Sequence, residues 1–186
     1  MEFHLPKAAK RPGLTQALDV IRKFLALLLL SLATTSATAQ LSAPEQPVVF
    51  TPQNGFSGES EGLGSLKIFF GKPRPFHVKS RGSEQGDGTF RLDQTITFQG
   101  EVPQTRFWIM STTTPNHYSA TLRDAAGPVQ AVTTGSTLSL HYRIKGPLVM
   151  HQELKLAPNG RTIDNVGVIR LLGVPVGHLR ETITRE

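Results

Sequence analysis

Residues 90–98 read FRLDQTITF, and in an extended backbone every second side chain of that run faces the same way. Phe90, Leu92, Ile96 and Phe98 are large and apolar, yet Gln94 stands in the middle of their row. A second run repeats the pattern: Leu148, Met150, Leu154 and Leu156 flank Gln152. A buried amide without a partner costs about 1–3 kcal/mol, so each glutamine needs company. Arg106, Trp108 and Met110 share one face of a further segment and offer a guanidinium and an indole N–H. Tyr142 adds a hydroxyl from another. A turn centred near residue 101 would set Gln94 opposite Trp108 and Ile96 opposite Arg106.

Two interpretations fit such a wall. In the first, the polar groups satisfy one another inside a packed core, with Arg106 bonding Gln94. In the second, the wall belongs to the mouth of a mostly apolar cavity in which a few polar groups orient a ligand. An arginine there favours an anionic head group on an apolar tail. Gln94, Arg106, Trp108, Tyr142 and Gln152 are then the ligand-binding residues. Arg106 pairs with the anion, Trp108 and Tyr142 supply apolar contact, and the two amides orient.

Other chemistry is thin. The chain has no cysteine, which excludes disulfides, thiolate metal sites and cysteine nucleophiles. The run Gly58 to Gly64 (GESEGLG) is glycine-rich, but no helix follows that could hold a phosphate. Its glycines read as places where a strand bends tightly or passes close to another element. If residues 145–147 form a three-residue loop, His141 faces His151, Tyr142 faces Met150, and Glu153 falls near Ser139. Two histidines side by side could begin a zinc or copper site, but no third ligand is identifiable. Glu59 and Glu61 read as solvated charges. No catalytic residue, cofactor or metal is assigned, and the chain is read as a binding protein and not an enzyme.

The elements that position the wall are short. From Phe56 onward the chain alternates with a period of two, broken by turn residues such as Gly71-Lys72-Pro73, Asp87-Gly88, Gly146-Pro147 and Asn159-Gly160. No stretch after the leader has the length and 3.6-residue period of a helix. About eight to ten strands with connections this short make an antiparallel meander. Such a sheet must close or fold over to protect its edges. A lipocalin-like, calycin-type barrel is expected first and a sandwich second.

The formal net charge of +6 invites a nucleic-acid reading, and its location removes it. Lys7, Lys10, Arg11, Arg22 and Lys23 against Glu2 and Asp19 place half of that charge in the first 39 residues. The remaining cations are scattered singly, whereas a phosphate-tracking groove needs them clustered. Residues 22–40 read RKFLALLLLSLATTSATAQ: a positive start, an apolar run from Phe24 to Ala33, and Ala37-Thr38-Ala39 as a small-x-small cleavage signature. The run is too short to span a membrane comfortably. Residues 1–39 are therefore expected to be a signal peptide cut after Ala39, with a helical core and a periplasmic or secreted product; the alternative, given the long stretch before Arg22, is an uncleaved membrane anchor. Initiation near Leu18 or Val20 would give the leader an ordinary length. Residues 40–55 form an extended or loosely packed lead-in, and residues 56–186 the single barrel domain.

The runs FSGESEGLG (56–64), FHVKSRG (76–82), DGTFRLDQTITF (87–98) and RFW (106–108) together resemble the bacterial family named domain of unknown function 3833. Phe56, Gly58, Gly62 and Gly64 match its opening F-x-G-x-x-x-G-x-G. Gly82 and Asp87 to Phe90 match its second element, Arg106 and Trp108 its R-x-W strand, Tyr142 a strand ending in tyrosine, and Gly173 and Gly177 its closing glycines. The resemblance covers about residues 56–184 and implies a calycin-like β fold without adding an activity. Members are often lipoproteins; this chain lacks the anchoring cysteine, so any envelope association would be peripheral. Gln94 stands where the family pattern often carries glutamate; if that glutamate pairs with the arginine at position 106, this chain carries a neutral version of the pair. The function expected is to hold a small amphipathic or lipid-like molecule inside the barrel. The alternatives are a filled barrel serving as a structural envelope factor and, last, an enzyme acting on lipid-like substrates.

Overall fold

A computed structural model of the protein describes residues 48–144 and 146–186. The expected signal peptide, its helix and most of the lead-in lie outside the described residues. Alternating inward and outward side chains generate ten strands: β1 (Gly58–Ile68), β2 (Arg74–Glu84), β3 (Phe90–Phe98), β4 (Gln104–Thr114), β5 (His117–Leu122), β6 (Val129–Thr134), β7 (Thr137–Arg143), β8 (Leu148–Leu156), β9 (Thr162–Leu171) and β10 (Val174–Arg185). Each pairs antiparallel with the next, and β10 pairs with β1, so the sheet closes into a barrel with no free edge. The expected meander and closure are both present, and the sandwich is not.

The closed topology sorts the turns. Those after β2, β4, β6 and β8 lie at one end of the barrel, and those after β1, β3, β5, β7 and β9 at the other. Asp87 and Asn159 shape two turns at the first end: Asp87 Oδ1 accepts from the Thr89 N–H at 3.0 Å, and Asn159 Oδ1 accepts from the Arg161 and Thr162 N–H groups at 2.9 and 3.0 Å.

The same end is stoppered by the last part of the lead-in. A single helical turn, α1 (Pro52–Phe56), has Pro52 in its first turn and a capping box in which Thr51 and Asn54 satisfy each other's backbone N–H. The segment is not loosely packed: Phe50 is fully buried, and its ring meets Phe56 edge-on at 5.5 Å. The Phe50 N–H donates to Gly135 O at 2.8 Å, and Arg185 donates to Asn54 O, so both flanks of the helix are tied to the barrel. Five residues are too few to show a helical period, which is why the helix went unread.

One expected register is off by two residues. Gln94 pairs with Arg106, Leu92 with Trp108, and Ile96 with Gln104. The turn tightens around Gly100, with the Glu101 N–H donating to Phe98 O at 3.0 Å, so the hairpin centres one residue earlier than expected. A shift of two keeps every side chain on its face, and the inward row survives. The β7–β8 register is as expected: His141 faces His151, Tyr142 faces Met150, and Ser139 faces Glu153.

Gly82 on β2 sets how closely α1 can approach. A Cβ added there would stand 2.0 Å from the Phe56 carbonyl oxygen and 2.7 Å from the Phe90 ring. Gly82→Ala should therefore push the stopper outward and cost about 1–3 kcal/mol, the usual penalty for overpacking. Urea unfolding would show this as a lowered midpoint at unchanged slope; an unaltered midpoint would mean that α1 does not close the barrel.

Candidate functional site

Inward polar side chains interrupt the apolar rows at one level of the barrel. Ser60 on β1 pairs with Ser80 on β2, Ser80 with Gln94 on β3, and Gln94 with Arg106 on β4. Tyr142 on β7, Gln152 on β8, Asn165 on β9 and Glu181 on β10 continue the belt, so only β5 and β6 contribute nothing to it.

Two chains of hydrogen bonds run through it. Gln94 Oε1 accepts from Arg106 Nε and from Trp108 Nε1, each at 2.9 Å, and Gln94 Nε2 donates to Ser80 Oγ at 3.2 Å. Tyr142 OH donates to Gln152 Oε1 at 2.9 Å, Gln152 Nε2 to Asn165 Oδ1 at 3.2 Å, and Asn165 Nδ2 to Glu181 Oε2 at 2.8 Å. The question raised by the two glutamines thus has a direct answer: each amide is bonded at both its oxygen and its nitrogen. The Trp108 and Tyr142 rings meet perpendicular at 5.9 Å, which joins the two hydrogen-bonded chains by packing.

The belt divides the interior. Beneath it lies a packed core with residual space of about 30 Å³, which Phe56, Leu92, Trp108 and Leu154 help to line. Above it lies a cavity of about 240 Å³ with mainly apolar walls, among them Leu66, Phe76, Ile96, Ile169 and Leu179. Arg106, Gln152 and Glu181 border both spaces and so form the floor of the upper one. The β4–β5 ladder ends at Trp108 and Leu122, leaving Gln104 to Phe107 without a β5 partner. Exposed Gln104 and Asp124 line the cavity there and open it to solvent.

All five residues singled out from sequence face the interior, in two groups. Arg106, Tyr142 and Gln152 line the larger cavity. Gln94 and Trp108 line the small space under it and hold Arg106 in place. Sequence reasoning missed Asn165 and Glu181. The signal was the same one: Asn165 interrupts the row Ile163, Gly167, Ile169, and Glu181 interrupts Leu179 and Ile183. The glycine run is explained as well. A Cβ on Gly62 would stand 2.2 Å from Glu181 Oε1, so the missing side chain is the space the carboxylate occupies. Gly58 to Gly62 also spells G-x-S-x-G, but Ser60 sits within β1 and not on a strand-to-helix turn, so it is no nucleophile elbow. On the outer face the His141 and His151 rings lie 6.1 Å apart, and among the described residues no third ligating group joins them.

Burial acts on both ends of the second chain. It pushes the Tyr142 hydroxyl up to about 12, keeping it a donor at neutral pH. It also raises the Glu181 carboxyl above the ordinary glutamate range, opposed by the Asn165 hydrogen bond and by the Arg106 charge. Native Glu181 keeps its proton in a pH range where the unfolded chain has already lost it. The resulting stability is fully present below the unfolded value and is lost as pH rises through the native one. Glu181→Gln, which can still accept from Asn165, should abolish that decline. Urea midpoints measured from pH 4 to 8 would show a falling profile for the parent and a flatter one for the variant; parallel profiles would contradict the assignment.

Comparison with known proteins agrees with this architecture. The S-type phycobiliprotein lyase CPES of Guillardia theta superposes with a TM-score of 0.59 at 9% identity, over 73% of this chain and 90% of that one. A protein of unknown function from the DUF3598 family of Nostoc punctiforme superposes with a TM-score of 0.56 at 15% identity, over 78% of this chain and 53% of that one. This chain thus corresponds to about half of the Nostoc protein. At these identities the likeness is one of fold. No curated protein matches the sequence. The family described as protein of unknown function, DUF3833, matches residues 27–184, and with its glycines, its R-x-W strand and its lipocalin-like barrel the chain belongs to that family.

Proposed function

We propose that the protein binds a small amphipathic molecule in the upper half of its barrel. The observation that carries this is the cavity of about 240 Å³ with mainly apolar walls and a floor of Arg106, Gln152 and Glu181. Ligand sites of drug size usually span about 300–1,000 Å³, so this one takes a short molecule whole or one end of a longer one. The apolar walls favour a lipid-like body. Arg106 spends its Nε on Gln94, which fixes the guanidinium and leaves its two terminal nitrogens for an anionic head. Glu181 is the counterweight: neutral, it tolerates an anion, and ionised, it repels one. Binding of an anionic head should therefore tighten as pH falls.

The same reading places the protein in the periplasm or outside the cell, on the leader pattern of residues 22–39. It assigns recognition and not catalysis: Gln94 and Asn165 hold the floor groups in place, and the other carboxylate among the described lining residues, Asp124, stands exposed at the opening. Deeper in the barrel the filled interior of the alternative interpretation is also present, as a base for the cavity.

Decanoic acid and decanol separate the head from the tail. By calorimetric titration both should bind, the acid more tightly at pH 6. Arg106→Gln should weaken the acid by about tenfold or more, the scale of a charge-assisted hydrogen bond, and leave decanol unchanged. Glu181→Gln should strengthen the acid at pH 8. Binding of neither compound, or indifference of the acid to Arg106→Gln, would overturn the reading.

A further inference from the structure

The end of the barrel above the cavity carries an unusual rim. Phe70 on the β1–β2 turn is fully exposed, Val102 on the β3–β4 turn is 82% exposed, and Leu172 on the β9–β10 turn is 85% exposed. Phe69 and Val174 stand beside them, also in water. Because β9, β10, β1, β2, β3 and β4 are consecutive around the barrel, these three turns form one arc. They are also tied together. The Phe69 N–H donates to Val176 O, and Arg74 makes an ion pair with Glu101. The exposed apolar residues are thus gathered on neighbouring, mutually tied turns at one end of the barrel.

Two of its residues are costly in a second way. Phe69 and Leu172 both have φ 49°, the left-handed region that bulky side chains avoid. Asparagine or glycine would fit either turn with less strain and less exposed apolar surface. Strain held at an exposed tip points to a use for the side chain that occupies it.

The charge beside the arc has one sign. Residues 67–74, 98–104 and 170–176 contain Lys67, Lys72, Arg74 and Arg170 but a single acid, Glu101, which Arg74 neutralises. Lys67, Lys72 and Arg170 are exposed. The opposite end of the barrel is mixed: Glu59, Glu84, Asp87 and Glu186 stand among Arg81, Arg91, Arg161 and Arg185. An apolar edge flanked by cations unpaired among the described residues, with its one acid neutralised, matches an anionic lipid surface: the side chains enter the acyl boundary and the lysines meet the head groups. We infer that this rim docks the barrel, cavity end down, on anionic membrane. The inference stands on the rim alone and holds whether or not the cavity takes an amphipathic ligand.

Trp108 is the one tryptophan and is buried, so a tryptophan placed on the rim reports by difference. The test uses the full chain in the form its own cells produce, carrying Phe70→Trp, with Glu84→Trp at the opposite end as a control. With vesicles of phosphatidylcholine containing 30 mol% phosphatidylglycerol, Phe70→Trp should shift its emission to the blue and be quenched by brominated acyl chains, while Glu84→Trp should do neither. Adding Lys67→Gln and Lys72→Gln should weaken the partitioning by roughly tenfold or more, since each cation near such a surface is worth about fivefold. Equal responses from the two tryptophans would overturn the proposal. So would partitioning that ignores the anionic lipid. A rim tryptophan already blue-shifted without vesicles would overturn it too, because the edge would then be covered by a second copy or by another part of the chain.

Discussion

The hydrogen bond from Asn165 to Glu181 is the constraint on which the site depends. A carboxylate inside a barrel has to be bonded, neutralised or given space, and this one has all three. Asn165 bonds it, burial shifts it toward its protonated form, and Gly62 leaves the space in which it lies. The remaining links follow from that one. Asn165 holds Glu181 while its own oxygen accepts from Gln152, and the Gln152 oxygen in turn accepts from Tyr142, so each bond orients the amide that makes the next. Each member of the chain is buried well enough that loss of any one strands the next.

The belt also decides where the barrel is solid and where it is hollow. Polar side chains at mid-height cannot interdigitate with the aliphatic rows above them without losing partners. Below, Phe56, Trp108, Leu138 and Leu154 fill the bore, and α1 seals it. Above, the walls stand apart, and the hydrogen-bonded floor keeps the upper side chains from collapsing onto the core. The closed end, the floor and the open end are therefore successive consequences of one row of side chains, arranged along the barrel axis.

Much of this was legible in the sequence, for a physical reason. Strands alternate strictly, so a single amide in an apolar row announces itself, and Gln94 and Gln152 point inward where their rows require. That parity survives a register error of two, which is why the β3–β4 hairpin could be misaligned and the wall still be right. Three things were not legible. Asn165 and Glu181 carry the same signal, but their rows are diluted by Gly167 and Gly177, so the interruption is less visible. The dependence of Glu181 on Gly62 joins the first strand to the last, a contact that exists only once the barrel closes. The helix α1 leaves capping residues but no period. The leader and the cell compartment rest on residues 22–39, which the barrel's geometry does not touch.

The central claim is that a bonded belt keeps the upper half of the barrel hollow over a packed base. A crystal structure determined under xenon pressure tests it most directly, since xenon enters apolar space that side chains do not fill. The account predicts xenon among Leu66, Phe76, Ile169 and Leu179, above an intact chain from Tyr142 to Glu181, and none beneath Gln94. A barrel free of xenon, with those apolar side chains folded down onto Arg106 and Gln152, would contradict it.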